Sequence, residues 1–305
     1  VSSFTQKILK TTFVLAQGGF GVDKNGDPLG NTKIITDLRT SCTIEKTGHP
    51  SKNKMKLEIY GMLEQDMNTL TVLAFKHALG VGKNLVRVEA GDVNGLAVAF
   101  AGDITSAYAS YKSPPNLEFH VEALAGYFPA IAPSDPRSFK GSIDVKTVMG
   151  SLAKSMEYVF EDNGVSIQLA NPYFSGTDFQ QASNIAEAAN IEFGVDDGVL
   201  WIAPRGKERG THVSTVVSPS TGLIEYPVFD KKGIKFSCLY NPTIVHGGIV
   251  VVADSAIKKA NGIWRVVSLK HHLEALKPNG KWQSEVKATW LTAPSTTGEG
   301  DAADE

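Results

Sequence analysis

Cysteine is scarce. Cys42 and Cys238 are the only two in 305 residues. They lie in strand-like segments far apart, so they read as two separate buried thiols, and a disulfide-built scaffold is excluded. That usage fits assembly in a reducing compartment such as the cytoplasm of a host cell. An excess of charge is lacking too: 30 Lys and Arg stand against 32 Asp and Glu, a net charge of −2. A dedicated nucleic-acid binder would show a basic face, and the balance argues against one. No apolar run approaches the roughly 20 residues a membrane-spanning helix needs, so no membrane insertion is expected. Lys7 and Lys10 precede an apolar stretch of only Phe13 to Ala16, too short for a signal peptide.

Signatures of catalysis are missing or broken. There is no Gly-x-Ser-x-Gly elbow and no His-Glu-x-x-His. Asp23-Lys-Asn25-Gly-Asp27 begins like a calcium loop. Its sixth position is Pro28 where the sharp turn needs glycine, and its twelfth is Ile34 where a glutamate should chelate. Gly80-Val-Gly82-Lys83 resembles a phosphate loop, but Asn84 replaces the magnesium-binding hydroxyl and His77 replaces the first glycine. Ser151-Leu-Ala-Lys154 and Lys46-Thr47-Gly48 are pieces of a penicillin-recognising serine enzyme in reversed order, and Ser134-Asp135-Pro136 lacks the required Asn. His271 and His272 are adjacent on a strand and face opposite sides, which predicts one buried and one exposed imidazole rather than a metal pair. His246 reads as a turn residue. Asp196 and Asp197 read as turn chemistry before Gly198. Arg205, Lys207 and Arg209 read as a solvated linker. No catalytic, cofactor-binding or metal-binding residue is assigned.

What is present is a mainly β, α+β chain. Residues 1–112 form a first β-barrel or sandwich domain. Its strands are expected at Lys7–Gln17, Lys33–Lys46, Lys54–Met62, Leu85–Ala90 and Leu96–Tyr111, with a short helix starting at Asp66. Pro114-Pro115 marks a boundary, and 113–212 form a middle α/β domain plus linker. After a strand at Asn116–Ala125, Asp144 caps a helix whose stripe runs Val145, Val148, Met149, Leu152, Ala153, Met156, Val159 and Phe160, stopping at Asn163-Gly164. Thr177 and Gln180 form a capping box for a second helix with Phe179, Ala182, Ile185, Ala186 and Ala189 inward. Ile191–Val195 and Val199–Ile202 form a hairpin. A Ser/Thr/Pro-rich linker runs to Thr221. Residues 213–292 form the second β-barrel domain, and 293–305 a disordered acidic tail.

The chain is organised around Gly222 to Val252. A turn at Asp230–Gly233 leads into Ile234, Phe236 and Cys238, alternating with Lys235 and Ser237. Tyr240, Asn241 and Pro242 end that strand, since proline cannot donate to a ladder. His246-Gly247-Gly248 turns the chain into Ile249–Val252, expected to be buried on both faces. Trp264, Val266 and Leu269 are expected to fill the core of this domain, with Trp264 opposite Ile249–Val252. The ordered words GLIEYP, GIKFSCLYNPTI, GGIVVV, NGIWRVVSLKHHLE and GKWQSEVKA, across residues 222–288, resemble the tail-baseplate hub subunits of tailed, contractile bacteriophages and related injection machines.

The resemblance implies a homotrimeric ring in which each chain supplies two tube-like β domains. Such a ring joins the six-fold tail tube protein to the three-fold central spike protein. It touches other baseplate proteins and lets phage DNA pass through its lumen. It would be part of the virion, assembled in the bacterial host cytoplasm. Under it, Trp264, Phe236, Tyr240, Asn241, Pro242, Gly247 and Gly248 are structural or interface residues. Two other readings stay open: a cell-wall hydrolase or peptidase, and a carbohydrate-binding module using Tyr108, Tyr111 or Trp282 as its aromatic platform.

Overall fold

Period-two alternation becomes a ladder wherever one face can be covered. The computed structural model describes residues 5–22, 25–71, 83–113, 116–210 and 214–291. Asp23-Lys24, the Gly80–Gly82 loop, Pro114-Pro115 and the 293–305 tail lie outside the described residues. The first region forms β1 (Ile8–Val14), β2 (Thr32–Ile35), β3 (Thr40–Lys46), β4 (Lys54–Tyr60), α1 (Glu64–Leu70), β5 (Leu85–Asp92), β6 (Gly95–Ser113) and β7 (Asn116–Leu124). In β4, Met55, Leu57 and Ile59 are buried while Lys54 and Lys56 are exposed. Lys33–Lys46, expected as one strand, is two. The chain leaves the ladder after Ile35 so that β2 pairs with β1 and β3 pairs with β4. β7 follows Pro114-Pro115 yet lies between β4 and β6, antiparallel to both.

The middle region forms α2 (Tyr127–Ile131), β8 (Arg137–Ser138), β9 (Ser142–Asp144), α3 (Val145–Ser155), β10 (Val159–Asp162), β11 (Gln168–Ala170), β12 (Tyr173–Phe174), α4 (Asp178–Ala188), β13 (Ile191–Asp196) and β14 (Val199–Pro204). Asp144 caps α3 by accepting from Lys146 N at 3.0 Å, and Thr177 and Gln180 form the expected capping box on α4. However, α3 stops at Ser155, eight residues before Asn163. Tyr158 N donates to Ala153 O at 2.8 Å and Glu157 N to Lys154 O at 3.2 Å, the paired bonds that close a helix around a left-handed residue. That residue is Glu157, with φ 62°, in the place glycine usually takes. Val159 and Phe160 therefore belong to β10, which runs parallel to β14.

The last region forms β15 (Thr215–Val217), β16 (Leu223–Asp230), β17 (Gly233–Leu239), β18 (Ile249–Val252), a 3-10 turn (Lys258–Ala260), β19 (Gly262–Ala275) and β20 (Trp282–Trp290). The expected linker thus contains a strand, because β15 pairs in parallel with β18. Val250 and Val252 are buried, but Ile249 and Val251 are only half-buried, so β18 covers one face rather than two. Gly233 begins β17 where an added Cβ would lie 2.0 Å from the Ala288 carbonyl oxygen, a close approach only glycine allows.

Thirteen strands share one sheet in the order β16-β17-β20-β19-β3-β4-β7-β6-β5-β1-β2, with β18 on β19 and β15 on β18. β19 is the splice. Its first half pairs with β18, its second half with β3, and β20 runs along its other side. Trp264, Val266 and Leu269 accordingly sit in one apolar core, with Phe236 and Cys238. Leu273 and Ala275 of the same strand sit in another, with Cys42, Phe100 and Phe119. The middle region has a third, between α3, α4 and the hairpin β13–β14. Full burial of a side chain such as Phe or Leu contributes roughly 1.5–3 kcal/mol. The fold is mainly β, as expected. Among the described residues the ladder keeps two ends, β2 and β16, and does not close into a barrel; a sandwich-like arrangement is compatible with it.

Candidate functional site

The three cores meet at a buried charge cluster. Lys46, the last residue of β3, has Nζ 2.8 Å from Asp196 Oδ1 and 2.5 Å from Asp197 Oδ2. Both carboxylates come from the tight turn between β13 and β14, where Asp197 and Gly198 take positive φ. Asp196 Oδ2 accepts from Arg209 NH1 at 3.2 Å. Arg209 also grips Glu161 of β10 with Nε at 3.0 Å and NH2 at 2.7 Å, a bidentate fork. Asn53 Nδ2 donates to the Val195 carbonyl and to Asp196, and Ala101 N of β6 donates to Asp197. The first β region is thereby fastened to the hairpin of the middle region.

Burial alone would raise the Asp196 carboxyl, but the Lys46 and Arg209 charges outweigh it and hold it below the ordinary range. Burial pushes the Asp197 carboxyl up. Lys46 opposes this and the adjacent Asp196 charge adds to it. Burial would lower the Lys46 ammonium, but its two carboxylate partners keep it raised. Turn chemistry therefore accounts for only part of Asp196 and Asp197. Arg209 is buried while Arg205 and Lys207 are exposed, so the expected solvated linker is corrected at Arg209. A sequence signal existed only in retrospect: an Asp-Asp pair and an arginine, with no hint that Lys46 would meet them.

His246 does more than turn the chain. Its ring lies against Gly48, where an added Cβ would be 2.3 Å from His246 Cε1 and where φ is +68°. It also lies 5.7 Å from the Trp201 ring. Burial lowers its pKa to about 4, so it is neutral near pH 7. His271 is buried with Nδ1 2.7 Å from Ser284 Oγ, whereas His272, expected to be exposed, is half-buried beside Glu285. Ser151 Oγ donates to the Val148 carbonyl at 2.7 Å. Among the described residues no group of three His, Cys, Asp or Glu side chains could hold a metal ion.

Trp264 is 1 % exposed, opposite Val250 on β18 and Trp290 on β20, and its indole Nε1 donates to Ala260 O at 2.9 Å. Phe236, Gly247 and Gly248 are also buried. Tyr240 packs edge-on against His271 and Trp282, with its hydroxyl buried and without a hydrogen-bond partner among the described residues. Asn241 Oδ1 accepts from Thr243 N and Oγ1, the bonds of an Asx turn, and Pro242 is exposed. Of the aromatic platform residues, Tyr108 is exposed and stacked on His120, Tyr111 is exposed, and Trp282 is half-buried against the first core.

The other feature outside the cores is the sheet edge at β16. Ile224, Tyr226, Val228 and Phe229 are all exposed there, Val228 by 67 %. Pro227 sits within the register shift between Glu225 and Val228, an edge bulge of the kind in which a sheet allows proline.

A family model described as baseplate hub gp41 matches residues 8–279. The chain belongs to that family. This hub chain is similar in fold to the tail protein from Neisseria meningitidis, at TM-score 0.61 and 10 % identity, covering 92 % of the hub chain and 96 % of that one. It is similar to a 43 kDa tail protein of a Shewanella oneidensis prophage at TM-score 0.60 and 10 % identity, covering 93 % and 96 %. A chain solved in a PdpA-VgrG complex aligns at TM-score 0.50 and 7 % identity, over 94 % of the hub chain and 66 % of its own length. At these identities the likeness is one of fold. No curated protein sequence matches. The hub chain is a structural component of a phage tail baseplate, and so of the virion.

Proposed function

We propose that the hub chain forms a homotrimeric ring that joins the six-fold tail tube protein to the three-fold central spike protein. The observation that carries this is the β16 edge: four exposed apolar side chains in eight residues, on a strand whose outer side has no partner within the described chain. Such an edge in water is an aggregation hazard, and a partner that covers it removes the hazard. Pro227 withholds one ladder donor, so the side chains carry more of the contact than main-chain pairing does. Residues 5–124 and 214–291 would be the two tube-facing β units, spliced through β19, with the middle region outward towards other baseplate proteins. Assembly takes place in the host cytoplasm, and phage DNA passes through the lumen during ejection. The near-neutral charge supports passage, because few phosphate contacts hold the DNA back.

The chain has no enzymatic role in this reading. Ser151, His271, Asp196 and Lys46 are engaged in structural bonds, which supports it. The test is mass in solution by light scattering, alone and with the tail tube and spike proteins. The expected mass is three times that of the chain. A monomer that stays monomeric with those neighbours present would sink the proposal.

A further inference from the structure

A cavity of about 430 Å³ opens between the β13–β14 hairpin, the Thr47–His49 loop, the His246 turn and β19. It lies beside the charge cluster but does not share its ions. Trp201 and Phe193 back its wall as buried rings, and the exposed His49 ring lies 4.6 Å from that of Phe193. Three charged groups line it. Arg205 is exposed and makes no ion pair among the described residues. Arg265 is 6 % exposed; its NH2 donates to Glu192, and its Nε is closed off from water with no hydrogen-bond partner among the described residues. Glu192 is the third, and its other oxygen accepts from Gly206 N. The two histidines add no charge near pH 7. Burial lowers His246 to about 4, and burial together with Lys52 lowers His49. Arg209, behind the Trp201 ring, is neutralised by Glu161 and Asp196.

We infer that this cavity is a recognition site for one carboxylate on a short aliphatic stem, the side chain of an aspartate or glutamate presented by a partner protein. Two guanidinium groups against one carboxylate leave a single positive charge, which a monoanion balances. A phosphate dianion would overshoot it and face Glu192 at close range. Planar guanidinium donors match a carboxylate, and the exposed Arg205, without an ion pair among the described residues, has its donors free to face one. The exposed His49 ring and the half-buried Val267 suit the methylene stem. The site is independent of the trimer: it lies at the junction of the middle region and β19, not on the β16 edge.

The test uses full-length protein with 15N-labelled tryptophan, whose four indole signals include that of Trp201. It is titrated with a blocked Gly-Glu-Gly tripeptide, the Gly-Gln-Gly control and inorganic phosphate, at matched ionic strength. The expected result is a saturable shift of the Trp201 signal with the Glu peptide, none with Gln, and at least a five-fold weaker response in Arg205→Gln. Arg205 is exposed, so that variant should keep the wild-type melting temperature, which is checked first. No saturable shift, an equal response to Gln, or an unchanged affinity in Arg205→Gln would each overturn the inference. Tighter binding of phosphate would overturn the carboxylate and assign the cavity to phosphate groups.

Discussion

Lys46 shows how one residue can matter more when removed than when present. Taking two carboxylates and an ammonium out of water costs nearly as much as their attraction returns, so the cluster adds little net stability. Removing the ammonium alone leaves the buried Asp196 and the half-buried Asp197 side by side without it. Lys46→Ala should therefore destabilise the chain by about 3–5 kcal/mol, read as a shift in the urea midpoint with an unchanged slope. A loss below about 1 kcal/mol would mean that water or rearrangement solvates the pair. His271 gives the pH dependence at this scale. Burial lowers its pKa to about 3 from an ordinary 6.5. Between those values the unfolded chain binds the extra proton, so stability is full above 6.5 and is lost as pH falls towards 3. From pH 6.5 to 4.5 the loss from this group is roughly 2–3 kcal/mol at about 1.4 kcal/mol per unit. His246 acts in the same direction and Asp197, with its raised pKa, in the opposite one. Comparing wild type with His271→Gln cancels both, and the variant should lose less stability over that range. Parallel curves would show that His271 is not the titrating group.

At the scale of elements, β19 and β16 do different work. β19 is long enough to serve two cores, and a register shift between Val266 and Ser268 lets it bend from one to the other. Among the described residues β16 is paired on one side only, by β17. Lysine at an edge is a common device against association, and the double variant Tyr226→Lys with Val228→Lys installs it. Those side chains are exposed, so the fold should survive with a melting temperature within a few degrees of wild type in the monomeric state. The assembled mass should fall from three chains to one at micromolar concentration. A variant that still forms trimers would move the interface away from this edge.

The whole molecule is a scaffold whose polar machinery is turned inward. The charge cluster fastens the hairpin of the middle region to the first β region, and Arg265 with Glu192 fastens that same hairpin to β19. The residues that look most like nucleophile and base, Ser151 and Lys154, lie on the outer face of α3. Phage carrying Ser151→Ala or Lys154→Ala should infect as well as wild type. A tenfold or larger drop in plaque count from particles of normal composition would restore an enzymatic reading.

The sequence by itself determined what nearest neighbours along the chain decide. Alternation in β4, and in β17 apart from the buried Ser237, the caps at Asp144 and Thr177, the Asp197-Gly198 turn and the stop at Asn241-Pro242 were legible, because each depends on a few adjacent side chains and backbone angles. The ordered words of residues 222–288 carried the hub family as well. Where α3 ends was not legible, since Glu157 holds a left-handed angle that composition assigns to glycine and β10 is recruited by β14 from 40 residues away. The pairing of β19 with β3, the burial of Arg209 and the meeting of Lys46 with Asp196 and Asp197 were decided only in three dimensions. A charged residue is written the same way whether water or a carboxylate faces it. Only the fold, by closing segments about 150 residues apart onto one site, excludes the water and makes the partner obligatory.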